Sequence, residues 1–314
     1  MQFPNSSKYF TPCSSLEISF KAAGTTIVFL ILVLSIFGNS LVCVAVYRQI
    51  SLRTSSNTFV INLAVTDTVA SSVLLPLEAL YLLCFPSIPL NEKAITAWNT
   101  LFLCFLALSV LNFTAVTVDR YIHIVFPLRY DAVLTSSLRF GMVCGMWIYA
   151  TLLAVLMYFA FDTPENGVYS FRMQNRFFIS FLGINVFFPF CVIVFLYFKI
   201  FRLAKHHSRR IFSLRPDAAR EHKPRNFKRS LSFVKEFRAA KTIGIVICCF
   251  VVTWFPFLVY QLVFIFMDQS SCTLDKLDTV ICWFTYLSGV LNPITYAARD
   301  GSFRQSFQKI FTCK

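Results

Sequence analysis

Seven stretches of this chain are mostly apolar, and each is about as long as a bilayer core requires, roughly 20 residues or more. They run near 22–47, 57–84, 97–124, 138–160, 177–201, 240–267 and 277–297. Lipid offers no water to backbone N–H and C=O groups, so each stretch must satisfy its own hydrogen bonds and is expected to be a helix. Pro76, Pro189, Pro256 and Pro293 would break helices in water, whereas inside a bundle they are tolerated as kinks. The expectation is an all-α membrane protein: a seven-transmembrane helix bundle with a short amphipathic C-terminal helix. Residues 1–21 would be an extracellular N-terminus, 22–298 the bundle, and 299–314 a cytoplasmic amphipathic helix and tail. No cleavable signal peptide is expected, because Met1 to Phe20 is polar and includes Pro4 and Pro12.

Composition agrees. The chain is 57% hydrophobic and only 14% charged, with 37 phenylalanines suited to filling gaps between helices. A net charge of +14 would suggest nucleic acid in a soluble protein. Here the basic residues lie between or beside the apolar stretches, so topology explains them and no nucleic-acid partner is expected. With the N-terminus outside, six Lys and Arg (Lys8, Lys21, Lys93, Arg172, Arg176, Lys276) fall on the outer side and the other 23 of 29 on the inner side. Fourteen of them lie between Lys199 and Lys241. The opposite orientation would invert this bias. Asn5-Ser6-Ser7 is an N-glycosylation acceptor in keeping with an outer N-terminus. The third inner connection, roughly 202–239, carries Ser208, Ser213, Ser230 and Ser232. It reads either as a solvated linker near anionic lipid or as a surface for a cytoplasmic partner. Beyond the seventh stretch, Phe303, Phe307 and Phe311 recur every four residues, as in an interfacial helix. Cys313 beside it is a candidate for S-palmitoylation.

Polar side chains at membrane depth are costly and default to functional roles. Asp67 lies about 15 Å into the second helix, and Ser109 lies at similar depth in the third. Asn39, Asn292 and, one turn before it, Ser288 are also mid-helix. These oxygens could hold a small cation such as sodium, or form a structural hydrogen-bonded network without an ion. Asp119-Arg120-Tyr121 ends the third helix, and Glu236 begins the sixth on the same side. A breakable Arg120–Glu236 pair would be a two-state element, although simple snorkelling of the arginine is the plainer account. Trp254-Phe255-Pro256 places a bulky ring beside a bend, which is either a pivot or ordinary packing.

Together these residues resemble the rhodopsin-like (class A) G-protein-coupled receptors, over about 20–312. Each helix has its landmark in order: Gly38-Asn39; Asn62-Leu63-Ala64 with Asp67; Asp119-Arg120-Tyr121; Trp147; Pro189 and Tyr197; Phe250 with Trp254-Phe255-Pro256; and Asn292-Pro293 through Tyr296. The resemblance implies a plasma-membrane receptor with an extracellular ligand, coupling to a heterotrimeric G protein, with arrestin and receptor kinases as further partners and membrane lipids around it. It implies that the sixth helix swings outward, parting Arg120 from Glu236, while Tyr197 and Tyr296 move inward. Asp67, Ser109, Asn39 and Asn292 match the family's sodium site; no other cofactor is implied.

The chain also departs from the family's pattern. Ile95 stands where most members have the cysteine that starts the third helix, and 161–176 contains no cysteine, so the usual outer disulfide is absent. Cys104 has no visible partner. Cys13 and Cys272, both on the outer side, are a candidate pair, with Cys84 as a rival partner. Within the family this chain resembles, the biogenic-amine receptors carry an aspartate 18 residues before the motif arginine; here that position is Phe102, while Tyr286 does match the amine pattern. Tyr286 also occupies the place of a retinal-binding lysine, which argues against a light sensor. The expected pocket wall is Phe102, Leu103, Leu106, Phe181, Asn185, Trp254, Phe257, Leu258, Gln261, Cys282 and Tyr286. It is mostly apolar with a few polar groups. Glu78, about 16 Å outward of Asp67, or Asp278 would meet a cationic end of the ligand; alternatively Glu78 reaches outer water or pairs with Lys93. A small amphipathic molecule or a peptide fits this description. A receptor signalling without a ligand is the alternative. A transporter or channel is remote, since neither internal repeats nor charged rings are present. The four histidines fall at the inner surface, so an intramembrane enzyme is not expected.

Overall fold

The computed structural model describes residues 18–84, 92–160, 175–213, 224–266 and 272–312. Every regular element among them is helical. The long helices are α1 (Ile18–Arg48), α2 (Thr58–Cys84), α3 (Glu92–Val125) and α4 (Ser136–Ala160). They are followed by α5, which runs as Asn175–Leu182, a π-turn Gly183–Phe187 and then Phe188–Ser213. Next come α6 (Pro224–Phe266), α7 (Cys272–Arg299) and the short α8 (Gly301–Phe311). One further helical turn, Tyr130–Val133, lies between α3 and α4.

Six of these helices, α1 to α6, are long and apolar enough to cross a membrane by length and composition. The seventh, α7, carries Asp275, Lys276 and Asp278 in its outer turns and Ser288 and Asn292 further in, which dilutes its apolar character. It is nonetheless 28 residues long and packs against α1, α2 and α6, closing the bundle.

The core is built around α3, the most buried of the spans, which touches α2, α4, α5 and α6. Phe59, Leu63, Leu103, Leu106, Phe113, Val246 and Phe257 are almost wholly buried there. A second cluster of Val28, Ile31, Leu75, Leu82, Trp283 and Val290 joins α1, α2 and α7. A third, Ile124, Ile200 and Ala240, ties the inner ends of α3, α5 and α6. Phenylalanines also cover the outside: Phe187, Phe188, Phe195, Phe198 and Phe201 on α5 are exposed, as a lipid-facing surface requires.

Both α5 and α6 run well beyond their apolar windows, to Ser213 and from Pro224. Much of what reads in sequence as a basic loop is therefore helix. Proline suits the first turn of α6, where its missing N–H has no intrahelical partner to lose. At the same inner end of the bundle, Asp300 caps α8 by accepting from the backbone N–H of Ser302 at 2.8 Å and of Phe303 at 3.4 Å. Phe303 and Phe307 are buried against the bundle, with Phe303 stacked on Tyr296 at 5.5 Å, while Arg304 and Lys309 face outward.

Candidate functional site

The prolines determine which backbone groups the site has to satisfy. Pro293 has no N–H to give to the carbonyl of Gly289, four residues earlier. Asn39 of α1 supplies that bond instead, donating from Nδ2 to Gly289 O at 2.8 Å and to Ser35 O at 2.9 Å. The helices must come close for this. A Cβ on Gly38 would lie 2.6 Å from the Pro293 ring, and one on Gly289 would lie 2.9 Å from Ser35 Oγ. Next to this junction, Asn292 Nδ2 donates to Asp67 Oδ2 at 2.7 Å, and Ser35 Oγ and Ser71 Oγ share a 2.7 Å bond. Asp67, Asn39 and Asn292 are buried, and the side-chain oxygens of Asn39 and Asn292 have no partner among the described residues. Ser109 is buried on α3. Ser288 turns elsewhere: it donates to Thr285 O at 2.8 Å and accepts from Trp254 Nε1 at 3.4 Å.

Toward the outer side, Phe102 is the hub of an aromatic cluster. Its ring lies 5.2 Å from Trp254, 5.2 Å from Phe257 and 5.7 Å from Tyr286. Leu103, Leu106 and Phe181 are buried in the same core, with Leu258 and Cys282 packed on it. The π-turn of α5 precedes Pro189 and relieves the clash a proline ring makes with the carbonyl four residues back. It carries Asn185, which accepts a 2.6 Å bond from the Tyr149 hydroxyl and donates to Phe181 O at 3.2 Å.

Glu78 neither reaches outer water nor pairs with Lys93. It is 3% exposed and accepts a 2.9 Å bond from Trp283 Nε1 of α7. Asp278 lies within electrostatic reach of Glu78 and accepts from Gln261 Nε2 at 3.3 Å.

Below Trp254 the rings continue inward. Phe250 is 5.6 Å from Trp254 and 4.8 Å from Phe113 of α3. Asp119 and Arg120 are buried at the foot of α3. Asp119 accepts a 2.7 Å bond from the Tyr130 hydroxyl, whose ring is stacked 4.3 Å from His123, with the Arg139 guanidinium 5.7 Å from its centre. Tyr121 packs beside this foot. Tyr197 of α5 donates to Ala240 O of α6 at 3.1 Å, and Tyr296 of α7 is buried, both within electrostatic reach of Arg120. The side chains of Glu236 and Cys272, and residues Asn5, Cys13 and Cys313, lie outside the described residues.

Among the described residues this arrangement has no reacting centre. It has a polar joint between α1, α2 and α7, a ring column beside the bend of α6, and an arginine flanked by two tyrosines at the inner end. The family described as 7 transmembrane receptor (rhodopsin family) matches residues 38–296. The chain belongs to that family. The receptor is similar to the octopamine receptor beta-2R of Chilo suppressalis, 25% identical over 321 residues, covering 92% of this chain and 79% of that one. It is similar to the histamine H2 receptor of Rattus norvegicus, 25% identical over 312 residues, covering 96% and 83%. It is also similar to the D(5)-like dopamine receptor of Takifugu rubripes, 27% identical over 318 residues, covering 94% and 68%. It is a multi-pass plasma-membrane receptor and not an enzyme.

Several residues that build this site were invisible to sequence reasoning. Tyr130, Tyr149, Ser35, Ser71 and Trp283 carry no spacing signal, because each is defined by a partner on another helix.

Proposed function

We propose that the receptor, with its N-terminus outside, converts binding of an extracellular amphipathic amine into nucleotide exchange on a heterotrimeric G protein. The observation that carries this reading is the ring column Phe102–Trp254–Phe250–Phe113. It begins in the outer aromatic cluster and ends two helical turns above Arg120. A ligand that packs differently on Phe102 in two states therefore acts on the bend of α6, and only differential affinity for the two states can drive the change. The amine class is supported by the relatives named for octopamine, histamine and dopamine, and by carboxylates at 78 and 278 beside an apolar wall.

Asp67, with the unpartnered oxygens of Asn39 and Asn292, fits a small hard cation, and sodium bound there would add a positive charge that holds α2 and α7 together. Arrestin and receptor kinases are further partners of the inner face. Glycosylation of Asn5, a Cys13–Cys272 disulfide and palmitoylation of Cys313 complete the reading.

The test is nucleotide exchange by the purified full chain in lipid nanodiscs, with one heterotrimer of each class and with octopamine, histamine and dopamine. At least one amine is expected to accelerate exchange on at least one heterotrimer. Absence of acceleration with every heterotrimer, basal activity included, overturns the coupling reading. Basal exchange that no amine alters overturns the ligand reading alone.

A further inference from the structure

We propose that the receptor holds the ammonium of its amine ligand between α2 and α7, on Glu78, rather than on α3. This rests on the amine reading above and deepens it by naming the counter-ion. The α3 position is closed to a cation, since Phe102 fills it with a ring that touches Trp254, Phe257 and Tyr286. Glu78 has the opposite character. Its carboxylate is buried at 3% exposure and receives one hydrogen bond, from Trp283 Nε1 at 2.9 Å, where a carboxylate has room for about four. No cation is paired with it among the described residues. A charge held this way is under-compensated, and the missing partner is a positive group with several N–H donors.

The surroundings favour such a group. Asp278 adds a second negative field from α7. Tyr81, one turn outward of Glu78, lies 5.8 Å from Trp98 of α3, so aromatic faces attractive to a cation border this part of the bundle. Trp283 itself is braced from the far side, stacked on Phe20 at 5.5 Å and pressed against Gly24. Its indole N–H therefore aims the carboxylate without following the ligand. An amine seated here would lay its apolar body on Phe102 and Tyr286. The far polar tail would gain little at Asn185, whose oxygen already accepts from Tyr149.

The experiment uses the purified full chain in nanodiscs and reads binding as thermal protection by octopamine, histamine and dopamine. Each amine is paired with its neutral analogue in which a hydroxyl replaces the ammonium. E78Q keeps an oxygen for the Trp283 bond and removes the charge. It is expected to weaken the protecting amine by about 10- to 100-fold, the worth of a charge-assisted hydrogen bond, while leaving the neutral analogue unchanged. D278N is expected to weaken the amine by less. E78D, which keeps the charge and shortens its reach, is expected to fall between wild type and E78Q, and it carries the test if E78Q fails to fold. Equal protection of wild type and the Glu78 variants by an amine overturns this subsite and leaves the amine reading standing. Protection of wild type by no amine overturns that reading, and the subsite with it.

Discussion

Asp67 and Asn39 show how single buried polar groups are kept in the bundle. Asn39 serves the backbone, since removing its amide would strand the Gly289 carbonyl that Pro293 cannot reach, a loss of about 1–3 kcal/mol for a buried acceptor. Asp67 is different, because its bond from Asn292 would be accepted equally well by an asparagine oxygen. We propose that its charge serves a bound sodium ion, which an asparagine at 67 would hold less well. Basal nucleotide exchange by the wild-type receptor is expected to fall as sodium replaces potassium up to about 150 mM at constant ionic strength, which holds surface screening fixed. D67N, equal in shape, is expected to give a flat response. A sodium response in D67N as steep as in wild type would show that the ion acts elsewhere.

Helices meet here wherever a glycine lets them. On α1, a Cβ at Gly24 would collide with the Trp283 ring, which is pinned by its bond to Glu78 and its stack on Phe20. On the lipid-facing side of α4, a Cβ at Gly141 would meet nothing within 4 Å. G24A is therefore expected to cost about 1–3 kcal/mol through overpacking, and to lower the melting midpoint of the purified receptor by several degrees. G141A is expected to match wild type or exceed it slightly, since alanine is the better helix former. Equal midpoints for the two variants would show that α1 and α7 can part enough at Trp283 to admit a methyl group. The same contrast explains what could be read in advance. Apolar length and the positions of proline revealed the bundle and its kinks, because those signals are local to one helix. The partners of Glu78, Asp119 and Asn185 stayed hidden, since Trp283, Tyr130 and Tyr149 come from other helices and acquire meaning only once the helices are docked. The aromatic pocket wall was legible as a set of residues. That Phe102 would sit at its centre, touching three other rings, was not.

At the scale of the whole molecule, α6 is the natural moving part. It is 43 residues long, about 65 Å, so it extends far past a 30 Å hydrocarbon core on the inner side. Pro256 breaks its hydrogen-bond ladder beside Trp254, and Lys241 lies fifteen residues further in, about 22 Å below the bend. A change of about 20° in that bend, the scale of a proline kink, moves Lys241 by about 8 Å. Such a movement would break the Tyr197–Ala240 bond and open the space below Arg120. Reversing a 99:1 preference between the two states requires about 10⁴-fold differential affinity, so a nucleotide-free heterotrimer is the surest probe of the second state. Spin labels at S51C and K241C, both exposed positions, in a background lacking the exposed Cys191 and Cys248, would report the distance directly. Adding nucleotide-free heterotrimer is expected to lengthen that distance by several ångströms. P256A, which restores an N–H to the ladder, is expected to shrink the change. An unchanged distance in wild type, with heterotrimer demonstrably bound, would mean that the inner cavity opens without α6 and that the ring column is packing alone.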